Sequence, residues 1–159
     1  MLPERAAGAT VLKLPDDTID ALLDRWPVAR LATVGPDGQP HAVPVVFARV
    51  AGELWSPIDG KPKSAGELAR VRHLRAEPRA SLLLDHYEGD WRRLWWLRVD
   101  VRARIATPPE DLEPAVEALL RKYPQYRETD VLRDPPTLLA LRPVRRTSWC
   151  AGRDALPMR

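Results

Sequence analysis

The chain has one cysteine, Cys150, and that scarcity excludes the most. A single thiol forms no internal disulfide and no cysteine-based metal site, and the chain reads as cytoplasmic. Histidine is nearly as scarce. His41, His73 and His86 show no HxxxH or HxH spacing, so no metal centre is expected. No stretch approaches the ~20 apolar residues of a membrane span. The N-terminus carries Glu4, Asp16 and Asp17 and lacks an apolar h-region, so it does not read as a signal peptide. There is no GxSxG nucleophile elbow, no GxGxxG and no Walker loop. Lysine is short too, at 4 residues against 21 arginines. GC-rich coding would produce that skew, and so would a preference for a fork-shaped anion donor.

What remains suits one ordinary domain: 159 residues, 45% of them apolar. The net charge is only +3, but residues 61–104 carry 11 basic and 6 acidic groups. An anionic partner belongs there. Interleaved acids and the low overall charge argue against nucleic acid.

Hydrophobic patterning predicts short elements. Asp16, Asp17 and Thr18 offer N-cap oxygens for a helix over 17–25, with Ile19, Leu22, Leu23 and Trp26 as its apolar face. Residues 28–34 read as a strand covered on both faces. A turn around Gly38 leads into a returning strand over 41–50, and Ala51-Gly52 into a third over 53–57. Pro44 within the second strand implies an edge or a bulge. Ser64 and Glu67 have capping-box spacing for a helix ending near Ala76, and Ala80–Tyr87 reads as a strand. The clearest pattern is period two over 97–105. Leu97, Val99, Val101, Ala103 and Ile105 share one face; Arg98, Asp100, Arg102 and Arg104 share the other. Trp95 extends the dry face and Trp96 the wet one. A helix over 110–122 and strand pieces over 137–141 and 147–150 complete the chain. The predicted fold is mainly β (α+β), a compact six-stranded antiparallel barrel with short flanking helices. Residues 1–14 are expected to form a flexible arm, 15–150 the domain and 151–159 a tail.

Two constellations stand out. Gly60-Lys61-Pro62-Lys63-Ser64, followed by Arg70 and Arg72, sets basic residues at a predicted helix start, where free N–H groups and the dipole favour a phosphate. A solvated basic helix end would have the same spacing. Trp96, out of phase beside Arg98, needs covering by a partner subunit or a planar ligand. Asp85-His86-Tyr87 forms no relay, because strand neighbours point to opposite faces.

The segments RLATVGPDGQPHAVPVVF (30–47), DGKPKS (59–64), LRAEPRASLLLD (74–85) and DWRRLWWLRVDVRARI (90–105), in this order, resemble the pyridoxamine-phosphate-oxidase-like split-barrel flavoproteins. DGKPKS and WRRLWWLR resemble in particular an actinobacterial group classed as deazaflavin-dependent oxidoreductases, whose cofactor is coenzyme F-420. The resemblance implies a split β-barrel and a homodimer with cofactor sites at the subunit interface. It implies phosphate binding by Lys61, Lys63 and Arg70, with Lys63 and Arg70 as alternatives for the inner phosphate. It sets the ring against Val45, Val46, Ser56, Pro57 and Ile58, approached by Trp96. The implied activity is hydride transfer to an electron-poor small molecule, with no covalent catalyst; His86 and Tyr87 are candidate proton donors. FMN is the alternative cofactor, and a non-catalytic flavin- or deazaflavin-binding protein the alternative role.

Overall fold

The computed structural model describes residues 12–59, 67–152 and 155. Helix α1 spans Asp16–Arg25 and buries Ile19, Leu22 and Leu23. Its N-cap is Pro15, with no side-chain cap; Asp16 and Asp17 sit inside the first turn, where they complement the helix dipole. Strands β1 (Ala29–Val34) and β2 (Pro40–Val45) form a hairpin whose turn puts Gly38 at φ 81°, a conformation costly for any side chain. Strands β3 (Ala48–Val50) and β4 (Glu53–Pro57) form a second hairpin through Ala51 and Gly52. Helix α2 (Ala69–Ala76) leads to β5 (Arg79–His86). A 3-10 turn (Trp91–Arg93) leads to the long β6 (Trp95–Ala106). Helix α3 (Glu113–Lys122), a 3-10 turn (Pro124–Arg127) and β7 (Leu138–Cys150) follow.

The described strands form one seven-stranded antiparallel sheet, in the order β2-β1-β5-β6-β7-β4-β3, not a closed six-stranded barrel. The extra strand comes from 41–50, which breaks after Val45. Up to that point β2 pairs with β1, from Ala29↔Val45 to Val34↔Pro40. From Ala48 the chain pairs instead with β4, at the other end of the sheet order. Val46 and Phe47 are therefore all that joins the two edge strands, and the sheet must curl until its edges come close. The late strand pieces, by contrast, are one strand, with a register shift opposite Asp100 and Val101.

β6 alternates as its sequence predicts, with Trp95, Leu97, Val99, Val101 and Ala103 buried. Their face meets Leu31, Phe47, Leu82, Leu84 and the apolar side of α1 in the main core. A second cluster packs α3, through Ala115 and Leu119, on Ala48, Trp55 and Leu138. β1 departs from expectation: Ala32 and Val34 are exposed, so only one face of this strand is covered. At the start of the described residues, Leu12 bridges to Cys150, and the buried Leu14 donates its N–H to Ser148 Oγ at 3.1 Å.

Candidate functional site

Where the curled sheet fails to close, it leaves a cavity of about 270 Å³. The end of β2 supplies Val45 and the connector supplies Val46. β4 supplies Ser56 and Pro57, and the first turn of α2 supplies Arg70. These are five of the positions expected to hold a cofactor. Val28, Pro44 and Asp59 complete the walls. Most of this lining is apolar, so a ring lodged here is shielded from water, while its polar end meets Ser56, Asp59 and Arg70.

The polar end has unused hydrogen-bonding capacity. Ser56 is 1% exposed, and its hydroxyl finds no hydrogen-bond partner among the described residues. Arg70 Nε is likewise buried without one. Burial lowers the Arg70 pKa, and the charge of nearby Asp59 acts in the opposite direction. Asp59 is itself buried and accepts a hydrogen bond from the Tyr126 hydroxyl at 2.9 Å. A guanidinium remains charged through such a shift. An oxyanion beside Ser56 and Arg70 would satisfy both orphaned groups, and this donor set fits a phosphate-bearing flavin-type cofactor.

The other expected residues fall elsewhere. Ile58 is buried and lines a neighbouring hollow with Leu68, Val71 and Thr137. Lys61 and Lys63 lie outside the described residues, as does Ser64. The expected Ser64–Glu67 capping box does not start α2, whose N-cap is Leu68 with no side-chain cap. Glu67 precedes the helix and pairs with Arg75 at 2.6 Å. Trp96 stands on β6, opposite Asp85 on one side and Trp149 on the other. His86 Nε2 lies 3.4 Å from Glu88, and Tyr87 is exposed; neither lines the cavity. No group of three or more His, Cys, Asp or Glu among the described residues could hold a metal. None of their helices is long and apolar enough to cross a membrane.

Three cavity residues escaped sequence reasoning. Val28 and Pro44 carry no chemical signal. Asp59 opens DGKPKS, and its acidic character among basic neighbours was the available clue. Tyr126, which orients it, lies 67 residues away, and no local pattern links them.

The outer sheet face bears a groove of about 450 Å³ whose apolar floor includes Ala32, Val34, Ala80 and Val144. Val144 is 69% exposed. At its rim, Asp100 accepts from Arg145 Nη2 at 2.8 Å and from Ser81 Oγ at 2.9 Å.

The family model for pyridoxamine 5'-phosphate oxidase matches residues 15–150. None of the curated proteins is significantly similar to the chain in sequence. Several solved structures share the fold. A conserved hypothetical protein of Mycobacterium tuberculosis superposes with a TM-score of 0.68 at 23% identity, covering 96% of this chain and 94% of that one. A protein of Mesorhizobium loti described as FAD-binding gives 0.64 at 22%, covering 87% and 96%. A protein described as an F-420 reductase gives 0.59 at 22%, covering 84% and 98%. Haem-binding proteins share the fold as well.

Proposed function

The chain belongs to the pyridoxamine 5'-phosphate oxidase family, and from that premise we propose that it is an oxidoreductase that binds coenzyme F-420 at a homodimer interface. The observation that carries the reading is the seam cavity, whose lining includes Ser56 and Arg70, two residues with an orphaned hydroxyl and an orphaned Nε. The basic excess of residues 61–104 favours a cofactor with a long anionic tail over one with a single phosphate. The F-420 reductase among the structural neighbours supports the same order.

In this reading Arg70 donates from Nε to a phosphate oxygen, and Ser56 completes its hydrogen bonding. Asp59, held by Tyr126, keeps the guanidinium partly balanced before the anion arrives. Lys61 and Lys63 add positive charge between β4 and α2 in the sequence. Pro44, Val45, Val46 and Pro57 exclude water from the ring. When bound, a reduced deazaflavin supplies a hydride to an electron-poor acceptor, and solvent supplies the accompanying proton. The protein's part is position and electrostatics.

A second protomer completes the site. The exposed Ala32, Val34 and Val144, and the half-buried Trp96 beside Trp149, form the face it covers. FMN is the second reading, favoured by the FAD-binding neighbour.

Titration of the purified protein with coenzyme F-420 and with FMN tests the proposal. Saturable F-420 binding followed by reduction of quinones, enones or nitro compounds supports it. A yellow protein that retains FMN and ignores F-420 reverses the order. Tight binding without turnover indicates a carrier, and no binding of either cofactor overturns the reading.

A further inference from the structure

Val28 and Val46 line the seam cavity, and both also line a second hollow of about 210 Å³. Pro27, Tyr123 and Tyr126 form its other walls, with Gln125 and Thr129 as its polar members. Both tyrosine hydroxyls are engaged with the protein. Tyr123 meets the backbone of Phe47 and Pro27, and Tyr126 donates to Asp59. The rings therefore offer mainly carbon to the hollow.

None of the residues that line it carries a charge. An ion entering would lose its hydration without an ionic partner, a cost of several kcal/mol by order of magnitude. A neutral molecule loses little, and Gln125 and Thr129 can hydrogen-bond a carbonyl or nitro oxygen. A cavity of about 150 Å³ holds benzene, so this one suits a single substituted ring. The hollow is thus opposite in character to the Arg70 end of the seam cavity, and adjoins it across two valines.

We propose that this hollow is a binding subsite for an uncharged single-ring compound bearing a carbonyl or nitro group. Its place as the acceptor's seat rests on the oxidoreductase reading; the binding itself does not.

The test uses para-fluoroacetophenone, observed by fluorine NMR, with para-fluorobenzoate as the charged counterpart. The ketone is expected to bind and to shift the methyl resonances of Val28 and Val46. Thr129→Trp, which fills the hollow, is expected to weaken it at least about tenfold. The benzoate is expected to bind at least about tenfold more weakly than the ketone. Gln125→Trp fills the hollow from another position should Thr129→Trp fail to fold.

Unmoved valine methyls, full binding to the filled variants, or equal binding of benzoate would each overturn the proposal. F-420 and FMN titrations on the same proteins separate the two readings. Thr129-dependent ketone binding with neither cofactor bound rejects the cofactor and keeps the subsite. Cofactor binding without ketone binding does the reverse.

Discussion

The Tyr123 hydroxyl lies 3.0 Å from the Phe47 amide nitrogen and 2.8 Å from the Phe47 carbonyl oxygen. Pro27 O lies 3.0 Å from the same hydroxyl. One phenol thus accepts the Phe47 N–H and gives its proton to one of two carbonyls. It serves the residue at which the chain leaves one sheet edge for the other. Burial pushes its pKa up to about 12, so the proton stays in place across physiological pH.

Tyr123→Phe should therefore orphan a buried backbone donor and cost about 2 kcal/mol. With a urea m-value of about 2 kcal/mol/M, the unfolding midpoint should fall by about 1 M. An unchanged midpoint would show that water replaces the phenol.

Arg70→Ala should weaken binding of the cofactor at least about tenfold, the value of a charge-assisted hydrogen bond. Ser56→Ala removes a neutral one and should cost about threefold. Fluorescence titration measures both. If Lys63→Ala and Arg70→Ala both bind with unaltered affinity, the phosphate does not sit at this end.

Val144→Arg places a cation among Arg79, Arg102 and Arg145 on the open sheet face. It should convert a dimer into monomers in sedimentation velocity and weaken cofactor binding with it. A wild-type protein that sediments as a monomer at micromolar concentration disposes of the interface.

His73 is 5% exposed, and its Nδ1 lies 3.0 Å from Thr33 Oγ1. Burial lowers its pKa, His41 and Arg72 push the same way, and Asp37 opposes. Below the ordinary value of about 6.5 the unfolded chain therefore takes up a proton that the folded chain resists. Stability should fall as pH drops through that value and be insensitive to this group above it. Urea midpoints should decline less between pH 7 and pH 5 in His73→Gln than in the wild type; parallel declines would clear His73 of the effect.

The long strand was legible because Leu97 to Arg104 alternate strictly, and alternation is a local property. The break at Val46 was not. Nothing in PVVFARV marks a change of partner, because the partner at Phe47 is a phenol 76 residues away. The same holds for the open face of β1, where an apolar Ala32 and Val34 imply burial without saying by which chain. At the cavity, Val45, Val46, Ser56, Pro57 and Arg70 were placed by resemblance, and they do share one chamber. Ile58 lies one residue past β4, where its backbone pairs with Thr137 and Arg133, and it lines the hollow that those two residues share.

The last of the described strands, β7, lies inside the sheet, with β6 on one flank and β4 on the other. On the ribosome, β4 waits for Leu138–Cys150 to emerge before its inner edge gains a neighbour. A nascent chain lacking that strand presents two further unpaired edges, on β6 and on β4, and leaves the Ser56–Pro57 wall of the cavity without its neighbour. Ligand binding thus waits on the synthesis of β7, and a chain cut short before it leaves those edges open to aggregation.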